Sequence, residues 1–270
     1  MATRFFDRRV FSNLGIYMYG AGAIALGISG LVWTDFATNW QRVQANVPHR
    51  SALAFLVAVY ELGAGTAILS RRTARAGAIM LATLYSVFAL LWVAQIPGSS
   101  KVYDVWGNFF EEFSLVIAGV VVYASLAPPD SVLGGRAAQI SRLFGICAIS
   151  FALEHLFYLS GTASFVPKWI PPGQMFWAIA TTIFFLLAAV AILSGILAGL
   201  ASRLLTAMIA GFEALVWAPI LAATPHLHFA WAGNAISLAM AGAAWVVADS
   251  ISEAGKPSLK ITEANAVGAR

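Results

Sequence analysis

The sequence predicts an all-α, polytopic membrane protein, with eight transmembrane helices arranged as two parallel-repeat four-helix bundles. Three observations predict it. First, 60% of the 270 residues are apolar and only 10% are charged, against about 25% charged in an ordinary soluble domain. So few charges cannot coat a soluble surface of this size, and mean hydropathy is +0.80. Second, the apolar residues gather into runs of about 20, the length that crosses the hydrocarbon core as a helix. Third, short motifs of the first half recur in the second at a nearly constant offset.

The spans are taken in chain order. Residues 1–13 form a cytoplasmic N-terminal segment. Arg8-Arg9 before an apolar run resembles a twin-arginine export signal, but the run shows no clear cleavage site and is read as a retained anchor. The first unit, 14–127, holds spans 14–33, 51–70, 76–96 and 109–127. The linker, 128–142, carries Pro128, Pro129, Gly134, Gly135, Arg136 and Arg142. The second unit, 143–250, holds spans 143–160, 175–200, 204–224 and 231–249. Span 175–200 is long enough to tilt or to extend past the membrane, and Pro219 is placed to kink its successor. Residues 251–270 are a polar, mobile cytoplasmic tail. Strands are disfavoured, because the runs are continuously apolar rather than alternating.

Charge orients the chain. With both termini cytoplasmic, the inside holds Arg4, Arg8, Arg9, Arg71, Arg72, Arg75, Arg136, Arg142, Arg203, Lys256, Lys260 and Arg270. The outside holds only Arg42, Arg50, Lys101 and Lys168, as the positive-inside rule demands. Trp33, Trp40, Trp106, Trp169 and Trp231 then fall at the outer ends, as an interfacial aromatic belt would.

The internal duplication is legible in several places. Ala67-Ile68-Leu69-Ser70 matches Ala191-Ile192-Leu193-Ser194, and Trp92 ends a motif matched by the one that Trp217 ends. Trp106-Gly107-Asn108 is matched by Trp231-Ala232-Gly233-Asn234. Each unit has an even number of crossings, so the repeat is parallel rather than inverted. Val166-Pro167-Lys168-Trp169-Ile170-Pro171 resembles the V-P-x-W-[LI]-P element of DoxX-like membrane proteins. Tyr60-Glu61-Leu62-Gly63-Ala64-Gly65 resembles that family's E-[LI]-x-G-G segment, with Ala64 breaking the pattern. Each copy departs from the pattern: Phe185 stands near where copy one has Glu61, and copy one has only Val47-Pro48 for the proline–tryptophan loop. The resemblance implies tandem four-helix units in a bacterial inner membrane. It also implies association with quinone-linked redox complexes, since some relatives are subunits of a thiosulfate:quinone oxidoreductase.

Glu61, Glu154 and Glu213 lie inside the spans. An ionised carboxylate at the bilayer centre costs about 2.5–3.5 kcal/mol or more, so each must be protonated, paired or facing water. Ala54, Ala58 and Gly65 share the Glu61 face and bring a neighbouring helix close. Glu154 shares a face with Cys147, Ser150 and Gly161, while His155 points about 100° away. These four residues are the intramembrane candidates, either for a proton relay or ligand pocket or for hydrogen-bonded glue between helices. Glu111, Glu112 and Trp169 are candidates on the outer face. Glu111-Glu112 begins span 109–127, where the helix macrodipole alone would favour carboxylates. His226 and His228 form an H-x-H pair that could ligate copper or zinc given a third ligand; two solvated interface histidines are the plainer reading.

Other chemistries are disfavoured. Cys147 is the single cysteine, which excludes an internal dithiol. There is no phosphate loop, no H-E-x-x-H or G-x-S-x-G motif, and no basic patch with interleaved aromatics for nucleic acid. The outer loops, none longer than about 17 residues, leave no room for a catalytic domain. The leading expectation is therefore a non-catalytic accessory or scaffold subunit of a redox-linked membrane complex. It would contact lipids and partner subunits, carry no covalent cofactor, and hold a quinone or lipid non-covalently. Two rivals stand beside it: a proton-coupled small-solute transporter using Glu61, Glu154 and Glu213, and a membrane enzyme acting on a quinone or isoprenoid through Glu154 and His155.

Overall fold

A computed structural model describes residues 14–37, 39–95, 103–128 and 130–255. The N-terminal segment 1–13, Lys101 and the tail beyond residue 255 lie outside these. Among the described residues there is no strand, and eight helical segments are long and apolar enough to cross a membrane. In chain order the helices are α1 (Leu14–Trp33), α2 (Arg50–Leu69), α3 (Ala74–Val93), α4 (Asp104–Leu126), α5 (Ala137–Ser141) and α6 (Phe144–Phe157). They continue with α7 (Leu159–Phe165), α8 (Gln174–Ser194), α9 (Ala198–Phe212), a π-helical turn (Glu213–Trp217), α10 (Ala218–Ala223) and α11 (His228–Ala254).

Several features differ from the sequence reading, four of them for a clear local reason. The fourth span starts at Asp104 rather than 109, because Asp104-Val105-Trp106-Gly107-Asn108 winds on as helix despite its polar ends. The fifth is interrupted at Tyr158, whose φ of −115° and ψ of 36° separate α6 from α7. The long sixth span stops at Ser194, because Gly195 takes the left-handed conformation (φ 82°) that ends a helix. The bend expected from Pro219 is a π-helical turn just before it, in which the Ala218 N–H reaches back to the Glu213 carbonyl. The linker is also partly ordered as α5, and α11 runs to Ala254, past the expected edge of the tail.

Within the chain, α1 packs on α2, α2 on α3, and α3 on α4; α6 packs on α8, α8 on α9, and α9 on α11. The halves join where α11 lies against α1 and α4, and where α4 meets α6. Small residues permit these approaches. A Cβ on Gly22 would lie 2.5 Å from the Ala239 backbone nitrogen, and one on Gly27 would lie 2.7 Å from the Ala58 carbonyl oxygen. One on Gly242 would strike the Tyr19 backbone, and one on Gly77 the backbone of Ile68. All these contacts pair neighbouring helices antiparallel. One end of the bundle therefore gathers Trp33, Asp35, Arg50, Asp104 and His228, and the other gathers Arg71, Arg75, Tyr123, Arg203 and Asp249. Ion pairs mark both ends, Arg50 with Asp35 and Arg203 with Asp249.

The connection between α1 and α2 does not stay at the surface. Phe36, Ala37, Trp40 and Gln41 are all buried, so this segment re-enters the bundle. Non-helical backbone is tolerated at such depth where protein surrounds it. Trp40 is consequently a core residue and not part of an interfacial belt, whereas Trp169 is exposed.

Helix crossings set by glycine make a direct prediction. Gly22→Ala should destabilise the protein by about 1–3 kcal/mol, because the facing atoms are backbone and cannot yield. Gly63→Ala, which meets open space, should be neutral or slightly stabilising, by about 0.5–1 kcal/mol. Reversible unfolding of the two variants in one detergent would compare them.

Candidate functional site: a buried carboxylate series

Glu61 sits near the middle of α2, about 16 Å along the helix from Arg50, and is 1% exposed. Its carboxylate is reached from the re-entrant segment: Gln41 Nε2 donates to Glu61 Oε1 at 2.9 Å. The Gln41 carbonyl oxygen in turn accepts the Ala37 N–H at 3.1 Å, which fixes which way round the amide lies. Glu61, Glu112 and the phenols of Tyr19 and Tyr85 lie within electrostatic reach of one another. The Tyr19 hydroxyl donates to the Leu115 carbonyl at 2.8 Å. The Tyr85 hydroxyl is buried without a partner, as are both carboxylate oxygens of Glu112.

The series continues toward the Asp104 end. Glu111 is adjacent to Glu112, hydrogen-bonds Trp40 and acts electrostatically on Glu154. Glu154, on α6, interacts with Asp104. Its carboxyl lies flat against Gly107 of α4, where an added Cβ would come 2.7 Å from Glu154 Cδ. Asp104, Glu154, Glu111, Glu112 and Glu61 thus descend from one end of the bundle to its middle. Among the described residues, no lysine, arginine or histidine acts on Glu61, Glu111, Glu112 or Glu154. Toward the Arg71 end the first half is sealed by buried Ile68, Leu81, Val121 and Val122.

Glu111 and Glu112 are therefore not outer-face residues at a helix start. Because α4 begins at Asp104, they lie about 10 and 12 Å along it, and Glu112 is fully buried. That depth removes the macrodipole as their explanation, since its influence fades within the first turn.

The remaining candidates disperse. His155 turns away from Glu154 toward α8, where its Nδ1 lies 3.3 Å from Thr181 Oγ1. It stands edge-on to Phe185 with ring centroids 5.2 Å apart, and Phe212 is 6.0 Å away. Glu154 and His155 thus serve different interfaces. Gly161 belongs to α7, beyond the break at Tyr158, so the small-residue face proposed for Glu154 ends before it; Ser150, on the same helix, meets the Tyr103 hydroxyl at 3.0 Å. Glu213 is half-buried at the start of the π-helical turn. Asn234 Nδ2 donates to Glu213 Oε1 at 2.6 Å, and Ser237 is a second hydrogen-bond partner. It belongs to a separate polar contact between α9 and α11. His226 is exposed, while His228 stacks on Trp33 with the ring planes 5° apart. Among the described residues no three His, Cys, Asp or Glu side chains converge as a metal-ligand set.

Sequence reasoning did not single out Tyr19, Tyr85 or Gln41. Tyr19 carries a signal, a phenol on a buried helix face shared with the small residues Gly15, Gly22 and Ala23. Gln41 carries none, because nothing in its neighbourhood announces a loop that turns inward. The chain matches no protein-family model, no curated protein and no solved structure.

The contact between Gly107 and Glu154 can be tested alone. In carboxyl-stretch infrared spectra of the purified protein, one component should vanish in Glu154→Gln. The same component should shift in Gly107→Ala, whose methyl group pushes the carboxyl off α4. An unchanged spectrum for Gly107→Ala would separate the two residues.

Proposed function

We propose that the chain is a proton-coupled carrier of small solutes, in which Glu61, Glu112, Glu111 and Glu154 hold exchangeable protons. One observation carries this reading: five acidic side chains descend from one end of the bundle to its centre, and among the described residues no lysine, arginine or histidine acts on the four inner ones. Carboxylates in that setting persist by binding protons, and chains of such groups are the usual means of moving protons inside membranes. The apolar seal beneath Glu61 suits a carrier, which opens to one side at a time, better than an open channel. The relay differs from the sequence expectation in its members, with Glu111 and Glu112 in place of Glu213.

The reading includes two parallel four-helix repeats with both termini cytoplasmic. The matched succession of neighbours, α1–α2–α3–α4 and α6–α8–α9–α11, supports the repeat, as does the way the last helix of each half lies against the first helix of the other. The excess of arginine at the Arg71 end supports the orientation; Asp104 then opens the series to the outside. An accessory role in a quinone-linked complex rests on the DoxX-like resemblance alone. A quinone enzyme using Glu154 with His155 has no geometry behind it, since the two side chains face different helices.

Proteoliposomes enclosing a pH-sensitive dye test the reading. With the membrane potential clamped, wild-type protein should dissipate an imposed pH gradient about tenfold faster than Glu61→Gln, a barrier difference of about 1.4 kcal/mol. Equal rates would overturn the relay.

A further inference from the structure

We infer that the midplane group of Glu112, Glu61, Tyr85 and Tyr19 is a binding site for a primary ammonium headgroup, which names the solute class of the proposed carrier. Four facts lead there. Glu112 is 0% exposed and neither of its oxygens has a partner. The Tyr85 hydroxyl, also 0% exposed, is likewise unpaired, and it lies in the electrostatic field of Glu112, Glu61 and Tyr19. The other polar groups are already engaged, Tyr19 by Leu115 and Glu61 by Gln41. Finally, Gln41 donates to Glu61, and among the described residues none supplies Glu112 with a donor or a counter-charge.

Native structures rarely leave buried polar atoms unpaired unless a ligand, an ion or a water completes them. A proton on Glu112 removes its charge but leaves the new hydroxyl without an acceptor, and the second oxygen and the Tyr85 hydroxyl still unpaired. A metal ion needs several converging ligands, and no such set forms among the described residues. A primary ammonium ion offers three N–H donors on a compact positive charge. Their number equals that of the unpaired acceptors, two oxygens on Glu112 and one on Tyr85, and the charge offsets the acidic surroundings. The tilted ring pair of Tyr19 and Tyr85, with centroids 6.2 Å apart, adds aromatic faces that favour a cation. A quaternary ammonium cannot make the hydrogen bonds, and a planar guanidinium directs its donors in one plane.

Titration calorimetry on the purified full-length protein, at constant pH and ionic strength, tests the site with methylammonium chloride. Wild type should give saturable heat with Kd in the millimolar range or tighter, corresponding to about −4 kcal/mol or better. Tetramethylammonium and methylguanidinium should each bind about tenfold more weakly or not at all. Glu112→Gln should weaken methylammonium binding at least about tenfold, and Tyr85→Phe several-fold. If Glu112→Gln fails to fold, as judged by its circular dichroism, Tyr85→Phe decides alone. Absence of saturable heat, equal binding of tetramethylammonium, tighter binding of methylguanidinium, or wild-type affinity in the folded variants would each overturn the site. The inference rests on the carrier reading, but the two fail separately. Proton flux without methylammonium binding sinks the site and spares the carrier, and binding without flux does the reverse.

Discussion

A fully buried carboxylate without a hydrogen-bond partner is the constraint on which the rest of this structure turns. Glu112 can occupy the interior only if lipid is kept away from it, and the helices achieve this by approaching more closely than ordinary side chains allow. Gly22 against Ala239, Gly27 against Ala58 and Gly242 against Tyr19 bring α1 onto α2 and α11 at backbone contact. The same closeness carries the Tyr19 phenol to the Leu115 carbonyl of α4. Without an aqueous phase to drive apolar association, such packing is the principal force that membrane helices have. Polar chemistry in the centre and small residues at the crossings are therefore two sides of one arrangement.

The two halves handle their interiors differently. In the first, Glu61, Glu112, Tyr19 and Tyr85 make a polar centre. In the second, Phe151, Phe185 and Phe212 gather around His155, with Phe151 and Phe185 ring centroids 5.5 Å apart. On the proposed repeat, Phe185 stands close to the register of Glu61, so that a carboxylate in one half would be answered by an aromatic ring in the other. An aromatic core holds helices together by area and ring geometry and has no use for protons. These rings pack α6 against α8 and α9, and Glu154 is the acidic group that α6 presents to α4.

Much of the fold was legible because the signal was simple. Eight apolar runs separated by charged or proline-bearing turns leave little choice of architecture, and α1 ends where its apolar run does. The boundaries that moved are those where local backbone chemistry outweighs hydropathy. Asp104 to Asn108 looks like a loop by polarity yet extends α4, and Gly195 stops a helix that its apolar neighbours would prolong. That one shift in the start of α4 also changed the meaning of the site, since it turned Glu111 and Glu112 from terminal residues into interior ones. Glu61 and Glu154 were identifiable as carboxylates inside apolar runs. Their association with Glu112 was not, because it depends on which helices are neighbours, and no spacing along the chain encodes that. Gln41 was hidden for a similar reason, as a polar residue in a polar-looking connection.

The segment between α1 and α2 has a kinetic consequence. Trp40 packs against Trp217 and Phe229, with ring centroids 5.7 and 5.8 Å away, while its backbone carbonyl accepts the Trp92 indole N–H at 2.9 Å. Beside it, Gln41 grips Glu61. In the proposed carrier, traffic between the water at the Asp104 end and the centre therefore waits for this stopper to lift. Lifting it breaks contacts to both halves of the molecule at once, so the pace of exchange would follow the lifetime of a few aromatic contacts rather than the rocking of whole helices.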